Sequence, residues 1–225
     1  LGSIISYTIP IILTSVLQLL FNAADVVVVG RFCGSISVAA VGATGSITAL
    51  IVNLFIGLSV GAGVTVAHGV GSREDEVVQR TVHTALPMAL ISGVILTVLG
   101  VLLSETLLTM MGTPENVLPE STAYLTIYFS GILGLMLYNI GAGILRAVGD
   151  SKRPFYYLVV CAVMNTVLDL VFVIAFDMGV RGVALATILS QATSAVLVLI
   201  TLLRTGECIK VEPKKLKIHW DIIKK

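Results

Sequence analysis

The sequence predicts an all-α integral membrane protein, a bundle of six transmembrane helices, from three observations. The first is composition: 56% of the 225 residues are hydrophobic, only 12% are charged, and the mean hydropathy is +1.02. Soluble domains carry about 25% charged residues, so a soluble fold is excluded. The second is six apolar runs, each long enough to cross a bilayer at roughly 20 residues per helical crossing. The third is the placement of Lys and Arg, which alternates between sides in step with six crossings.

The runs cover about 4–29, 36–67, 77–103, 118–148, 155–176 and 182–203, so residues 1–204 are read as the transmembrane bundle. Several exceed the minimum length, which allows tilt or extension beyond the lipid. The intervening segments are short and rich in Gly, Pro or charge, as turns are. The third connection is the longest, and Glu105–Met111 is read there as a short interfacial helix before Gly112 and Pro114. One side of the membrane receives Arg31 and Arg181. The other receives Arg73, Arg80, Arg146, Lys152, Arg153, Arg204 and six tail lysines: Lys210, Lys214, Lys215, Lys217, Lys224 and Lys225. Positive charge collects on the cytoplasmic side, so both termini are expected there, in a multi-pass protein of the plasma membrane.

The net charge of +1 identifies no partner. No signal peptide of the basic, apolar and small-residue type precedes the first run. Cys33, Cys161 and Cys208 are too far apart for metal or redox spacing, and no disulfide framework is expected. No nucleic acid and no cofactor are expected. Residues 205–225 are read as a basic, amphipathic cytoplasmic linker. Leu216, Ile218, Trp220, Ile222 and Ile223 alternate with its lysines, a pattern that suits a helix lying on anionic headgroups.

Within the spans, small residues are frequent. Gly57 and Gly61 form a GxxxG motif followed by Gly63, and the fourth run carries Gly131, Gly134, Gly141 and Gly143. In lipid such residues let backbones approach closely. Pro10 and Pro87 interrupt the first and third runs and permit a bend. His83, near the start of the third run, is expected at the interface.

The chemistry lies in two acids. Asp25 sits in the first run, with Asn22 and Gln18 behind it at i−3 and i−7 on one helix face. A charge in hydrocarbon costs roughly 2.5–3.5 kcal/mol even on gentle insertion scales, so it needs a purpose and a cover. Asp169 lies in the fifth run, one turn after Asn165. Depth follows from a helical rise of about 1.5 Å per residue: Asp25 is about 9 Å below Arg31, Asp169 about 12 Å below Asp177, and Thr187 about 9 Å below Arg181. Three helices thus place oxygen-bearing side chains at one depth in the outer half of the membrane, with Ser190 and Gln191 a turn below. Polar groups in lipid seek one another. Hard oxygen ligands suit sodium or a proton. Two close carboxylates cannot both be ionised in a low dielectric, so they are expected to share a proton.

The residues carry a family resemblance. LRAVGD at 145–150 with Lys152, Arg153 and Pro154 resembles the signature after the fourth helix of multidrug and toxic compound extrusion (MATE) transporters. NAAD at 22–25 with Pro10, Gly30 and Arg31 is similar to their first helix. GLSVGAG at 57–63, NTVLD at 165–169 and GVALAT at 182–187 are also similar, so the likeness covers all six runs in order. It implies one lobe of a two-lobed transporter: two six-helix bundles facing each other across a cavity, of which this chain is the first. The tail resembles the linker to a second six-helix lobe. The implied activity is cation-coupled antiport, by proton or sodium, exporting drugs or other small organic cations, without enzymatic chemistry. The implied cation site is Asp25, Asn165, Asp169 and Thr187. The implied substrate cavity includes Gln18, Tyr124 and Asn139, and Asn22 is counted with them. Three rival readings stand beside it: a lipid-linked-precursor flippase of the same superfamily, which would need an arginine-lined cavity; a half-size protein acting as a homodimer; and an aspartyl protease. The last would need a glycine where Ala147 stands before Gly149 and Asp150.

Overall fold

The structure is a computed structural model that describes residues 2–206, 208–219 and 222. Seven helices and a closing turn account for it: α1 Gly2–Phe32, α2 Ser35–Gly71, α3 Asp75–Met110, α4 Leu118–Ser130, α5 Ile132–Ala147, α6 Lys152–Leu170 and α7 Gly179–Arg204. Helices α1, α2, α3, α6 and α7 are each long and apolar enough to span a membrane, and α4 with α5 makes one further span bent by 48°. With the bent pair counted as one span, length and composition give up to six crossings among the described residues, in line with the six runs. No strand occurs among the described residues.

Two expectations change here. The third connection holds no separate interfacial helix, because α3 continues without a break through Glu105 to Met110. Nothing in that stretch interrupts the i to i−4 ladder until Gly112 and Pro114, and Thr109 Oγ1 folds back on the Glu105 carbonyl at 2.8 Å. The fourth run is not one straight helix. It breaks at Gly131, whose backbone sits at φ −103° and ψ 1°. The break brings Gly131 against α7: a Cβ there would lie 2.3 Å from Ile188, so only glycine permits the approach. Gly134 and Gly141 continue the contact against Ala192 and Val198.

The GxxxG motif behaves differently from its neighbours. A Cβ on Gly57 or Gly61 would meet nothing within 4 Å, and both line an apolar groove of about 700 Å³ between α2 and α3. The motif therefore opens a surface rather than closing one. Gly63, two residues on, does pack, against the Gly143 carbonyl.

Three apolar clusters hold the bundle. One joins α3, α5, α7 and the tail residues Ile209 and Val211 at the Lys- and Arg-rich end. A second joins α2, α3, α4 and α5 through Leu108, Leu125, Phe129 and Met136. A third gathers Val28, Val29, Tyr124, Val173, Val180 and Val183 at the opposite end. Helix α1 leans chiefly on α6, and its N-terminal end is pinned by the Tyr7 hydroxyl, which donates to the Arg146 carbonyl at 2.9 Å.

The tail does not form a helix lying outward on headgroups in its described part. Residues 209–219 fold back on the bundle, with one 3-10 turn at Pro213–Lys215. The Val211 amide donates to the Leu202 carbonyl at 2.9 Å and the Glu212 amide to His83 Nε2 at 3.0 Å. Burial of Ile209 and Val211 drives this docking, since free apolar side chains gain more in a packed cluster than in water. His83 is accordingly buried under the tail, with Nδ1 2.7 Å from the Gln79 carbonyl. Trp220, Ile223, Lys224 and Lys225 of the expected linker helix lie outside the described residues.

Candidate functional site

The two acids meet. Asp25 is 5% exposed in α1, and Asp169 and Asn165 are fully buried in α6, with Thr187 at 4% in α7. Asn165 lies between the carboxylates. With its amide nitrogen turned toward them, it donates to Asp25 Oδ1 at 2.8 Å and to Asp169 Oδ2 at 3.2 Å. That orientation follows from its neighbours, since a carboxylate accepts and cannot donate when ionised. The opposite face of the amide looks at Thr187 Oγ1, 3.4 Å away. Thr187 itself donates to the Val183 carbonyl at 2.9 Å, so its oxygen lone pairs remain for the site.

Local sequence explains this convergence. Asp169 is the penultimate residue of regular α6, and Val171–Ala175 continue as a π-helical turn. Such turns interrupt α-helices frequently at functional sites. The widened turn meets the start of α7 at Gly182, where a Cβ would lie 2.9 Å from Phe172 Cβ. Glycine at 182 thus lets α7 approach the turn and carries Thr187, five residues on, to the acids. The Gly131 break sets the other wall, because it seats α4 beside Ile188 and brings Tyr124 into the apolar cluster around Val28 and Val29.

One oxygen stands out. Asp169 Oδ1 is buried and has no hydrogen-bond partner. Buried polar atoms are nearly always paired, and an unpaired carboxylate oxygen costs about 1–3 kcal/mol or more. A proton shared between the acids or a bound cation satisfies it. The cluster offers oxygens from two carboxylates, an amide and a hydroxyl, with no soft donor.

Other expected residues lie elsewhere. Gln18 and Asn22 do not join Asp25 under cover: both are exposed. The buried stripe of α1 runs through Thr14, Phe21, Asp25 and Val28, and α6 alone does not reach far enough round to cover its polar flank. Asn139 is buried at the contact of α5 with α2, where its Nδ2 donates to Leu135 and its carbonyl accepts from Ser59 Oγ at 2.7 Å. There it closes a helix interface away from the acids. Tyr124 is buried near the site and stacks on Tyr128 with ring centroids 6.4 Å apart. Sequence reasoning met Gly131 only as a small residue and Gly182 only within GVALAT, and it overlooked the π-helical turn; all three position the cluster without touching a ligand. A glycine amid several others, or a run of Val, Phe and Ile, carries no signal that separates a positioning role from packing.

A helical bundle with spans of membrane-crossing length and two carboxylates sharing an amide in its interior belongs to the class of integral membrane proteins. Within it, the sequence pattern of the MatE family matches residues 10–171, and the chain belongs to that family. It is similar to "Probable multidrug resistance protein YoeA" of Bacillus subtilis (strain 168), 33% identical over 200 residues, covering 87% of this chain and 43% of that protein. The solved structure described as "Crystal structure of MATE in the bent conformation" superposes with a TM-score of 0.92 at 28% identity, over 99% of this chain and 50% of that one. Its counterpart "in the straight conformation" gives 0.90 at 28% identity, over 99% and 49%. The chain therefore spans about half the length of the proteins it matches.

Proposed function

We propose that this chain is the cation-coupling lobe of an antiporter that exports small organic, mainly cationic, compounds. The observation that carries the reading is the single amide nitrogen of Asn165 bridging Asp25 on α1 and Asp169 on α6. A charge inside a bilayer marks an ion pathway or proton relay far more often than a packing contact. Two acids in one buried pocket form a unit with a switchable charge: neutral when they hold a proton and a cation balances them, charged when empty.

Coupling follows from how the acids are mounted. Asp169 and Asn165 ride on α6, which is packed along α7, whereas Asp25 rides on α1, which is held mainly by α6. Filling the site draws α1 toward α6. Emptying it leaves a carboxylate that needs water, which the open flank of α1 at Gln18 and Asn22 can admit. Helix α1 also carries Pro10, with Thr14 Oγ1 donating to the Pro10 carbonyl at 2.7 Å, a place where the helix can bend. Movement of α1 would thereby exchange cation for substrate on a face completed by a second six-helix lobe. The half-length match to the two-lobed relatives supports that lobe.

The Lys and Arg distribution supports cytoplasmic termini, a plasma-membrane location follows for such an exporter, and Tyr124 is the residue of the expected cavity set that adjoins the acids. The experiment is transport in proteoliposomes of the full-length protein that carries this chain, driven by a proton or a sodium gradient. Export accelerated by one gradient and abolished in Asp25→Asn supports the reading. Export indifferent to both gradients rejects it.

A further inference from the structure

A second site lies at the Lys- and Arg-rich end, far from the acids. A cavity of about 450 Å³ between the start of α6 and the end of α7 is lined by Arg153, Ile200, Thr201, Arg204, Thr205 and Gly206. Two arginines from different helices, both exposed, thus border one open cavity. Arg153 is held in place: its Nε contacts Asp150 Oδ2 at 3.1 Å, and its backbone amide donates to Asp150 Oδ1 at 3.1 Å. A guanidinium has five donors, so a carboxylate engaged at Nε fixes the fork and leaves its terminal nitrogens for a second anion. Thr201 is likewise oriented, by a 2.6 Å contact with the Tyr157 hydroxyl and by donation to the Leu197 carbonyl.

The cavity also has an apolar exit. Ile200, on its lining, is 40% exposed, and Val196 one turn deeper is 53% exposed. On the adjoining α6, Tyr156 and Val160 are 60% and 47% exposed. An anion-reading pocket thus opens onto an apolar strip running into the bilayer. This combination fits an amphipathic ligand and exceeds what an inorganic anion uses.

We propose that this cavity binds an anionic phospholipid of the cytoplasmic leaflet, its phosphate between Arg153 and Arg204 and an acyl chain along Ile200 and Val196. The assignment of leaflet rests on the orientation drawn from Lys and Arg. The site clamps the beginning of α6, the helix that carries Asn165 and Asp169, to the end of α7, so the lipid ties together the two helices that frame the acid cluster. Basic pockets between transmembrane helices on this side recognise anionic headgroups, and each basic contact favours them roughly fivefold, about thirtyfold for two.

The test is native mass spectrometry of the purified full-length protein in neutral detergent, titrated with phosphatidylglycerol or with phosphatidylcholine of the same chains. The expected result is a preference of about thirtyfold for phosphatidylglycerol, lost in R153Q/R204Q and unchanged in R73Q, a substitution in the turn between α2 and α3. Arg204→Lys keeps the charge at the end of α7 and folds on the same terms, but removes the fork. It is expected to lose the preference in part, which protects the test should the double variant fail to fold. A preference that survives in both variants overturns the proposal, and so does displacement of the lipid by millimolar inorganic phosphate, which would make the cavity a free-anion site. Failure of either kind leaves the acid cluster and its coupling role untouched.

Discussion

Asp169→Asn separates a working acid from a structural one, because the two readings give opposite signs for stability. Asp169 is fully buried, with Oδ2 accepting from Asn165 and Oδ1 unpartnered. Asparagine has the same shape, keeps an oxygen for Asn165 and brings no charge. If the acid is ionised for part of its cycle, the substitution removes an expense of roughly 2.5–3.5 kcal/mol; if it is protonated at rest, the change is near zero. The variant should therefore unfold at the same temperature as the wild type or above it. Coupling should collapse, since removing one charge that pairs with a buried partner costs about 3–5 kcal/mol, or roughly two to four orders of magnitude in cation affinity. The assay pairs thermal unfolding in detergent with gradient-driven efflux from drug-loaded proteoliposomes, using the full-length protein. A variant that exports like the wild type refutes the site. One that loses export together with several degrees of stability shows that Asp169 holds the fold instead.

Four further outcomes follow from the same geometry. Asn165→Ala and Thr187→Ala should weaken cation coupling less than the loss of either acid, because water replaces a neutral ligand but not a charge; an equal loss in flux titrations would contradict this. Gly182→Val should destabilise by about 1–3 kcal/mol and lower cation affinity, as its side chain drives α7 off Phe172; unchanged affinity in a folded variant would dissociate the π-helical turn from the site. In a cysteine-free background, Met111→Cys should react with an impermeant thiol reagent added outside and Ser72→Cys should not, and the reverse would invert the orientation. The tail strap rests on His83, whose Nδ1 hydrogen donates to the Gln79 carbonyl while Nε2 accepts from the Glu212 amide. His83→Phe should speed amide exchange at Glu212, and unchanged protection there would rule out the imidazole.

Much of this was legible because lipid punishes mistakes severely. A carboxylate in an apolar run cannot be incidental, and a fixed rise per residue turns sequence distance into depth; hence Asp25, Asp169 and Thr187 could be placed at one level before any contact was known. Asn165 came with them, one turn from Asp169. Rotation about a helix axis is less legible, because it depends on which neighbour covers which flank. Gln18 and Asn22 shared a computed face with Asp25 yet lie exposed, since α1 is covered mainly by α6. The break at Gly131 was one of four equivalent glycines in its run until Ile188 was seen beside it. The strap from His83 to Glu212 joins residues 129 apart, a pairing that no local pattern encodes.

The central claim is that Asp25 and Asp169 act as one unit, and infrared difference spectroscopy of their carboxyl groups tests it most directly. In the full-length protein at neutral pH, one protonated-carboxyl C=O band is expected from the pair. It should vanish in Asp25→Asn and in Asp169→Asn alike, and it should shift or disappear when the coupling cation is added. Absence of such a band, or its persistence unchanged in both single variants, would contradict a shared site and return the two acids to structural roles.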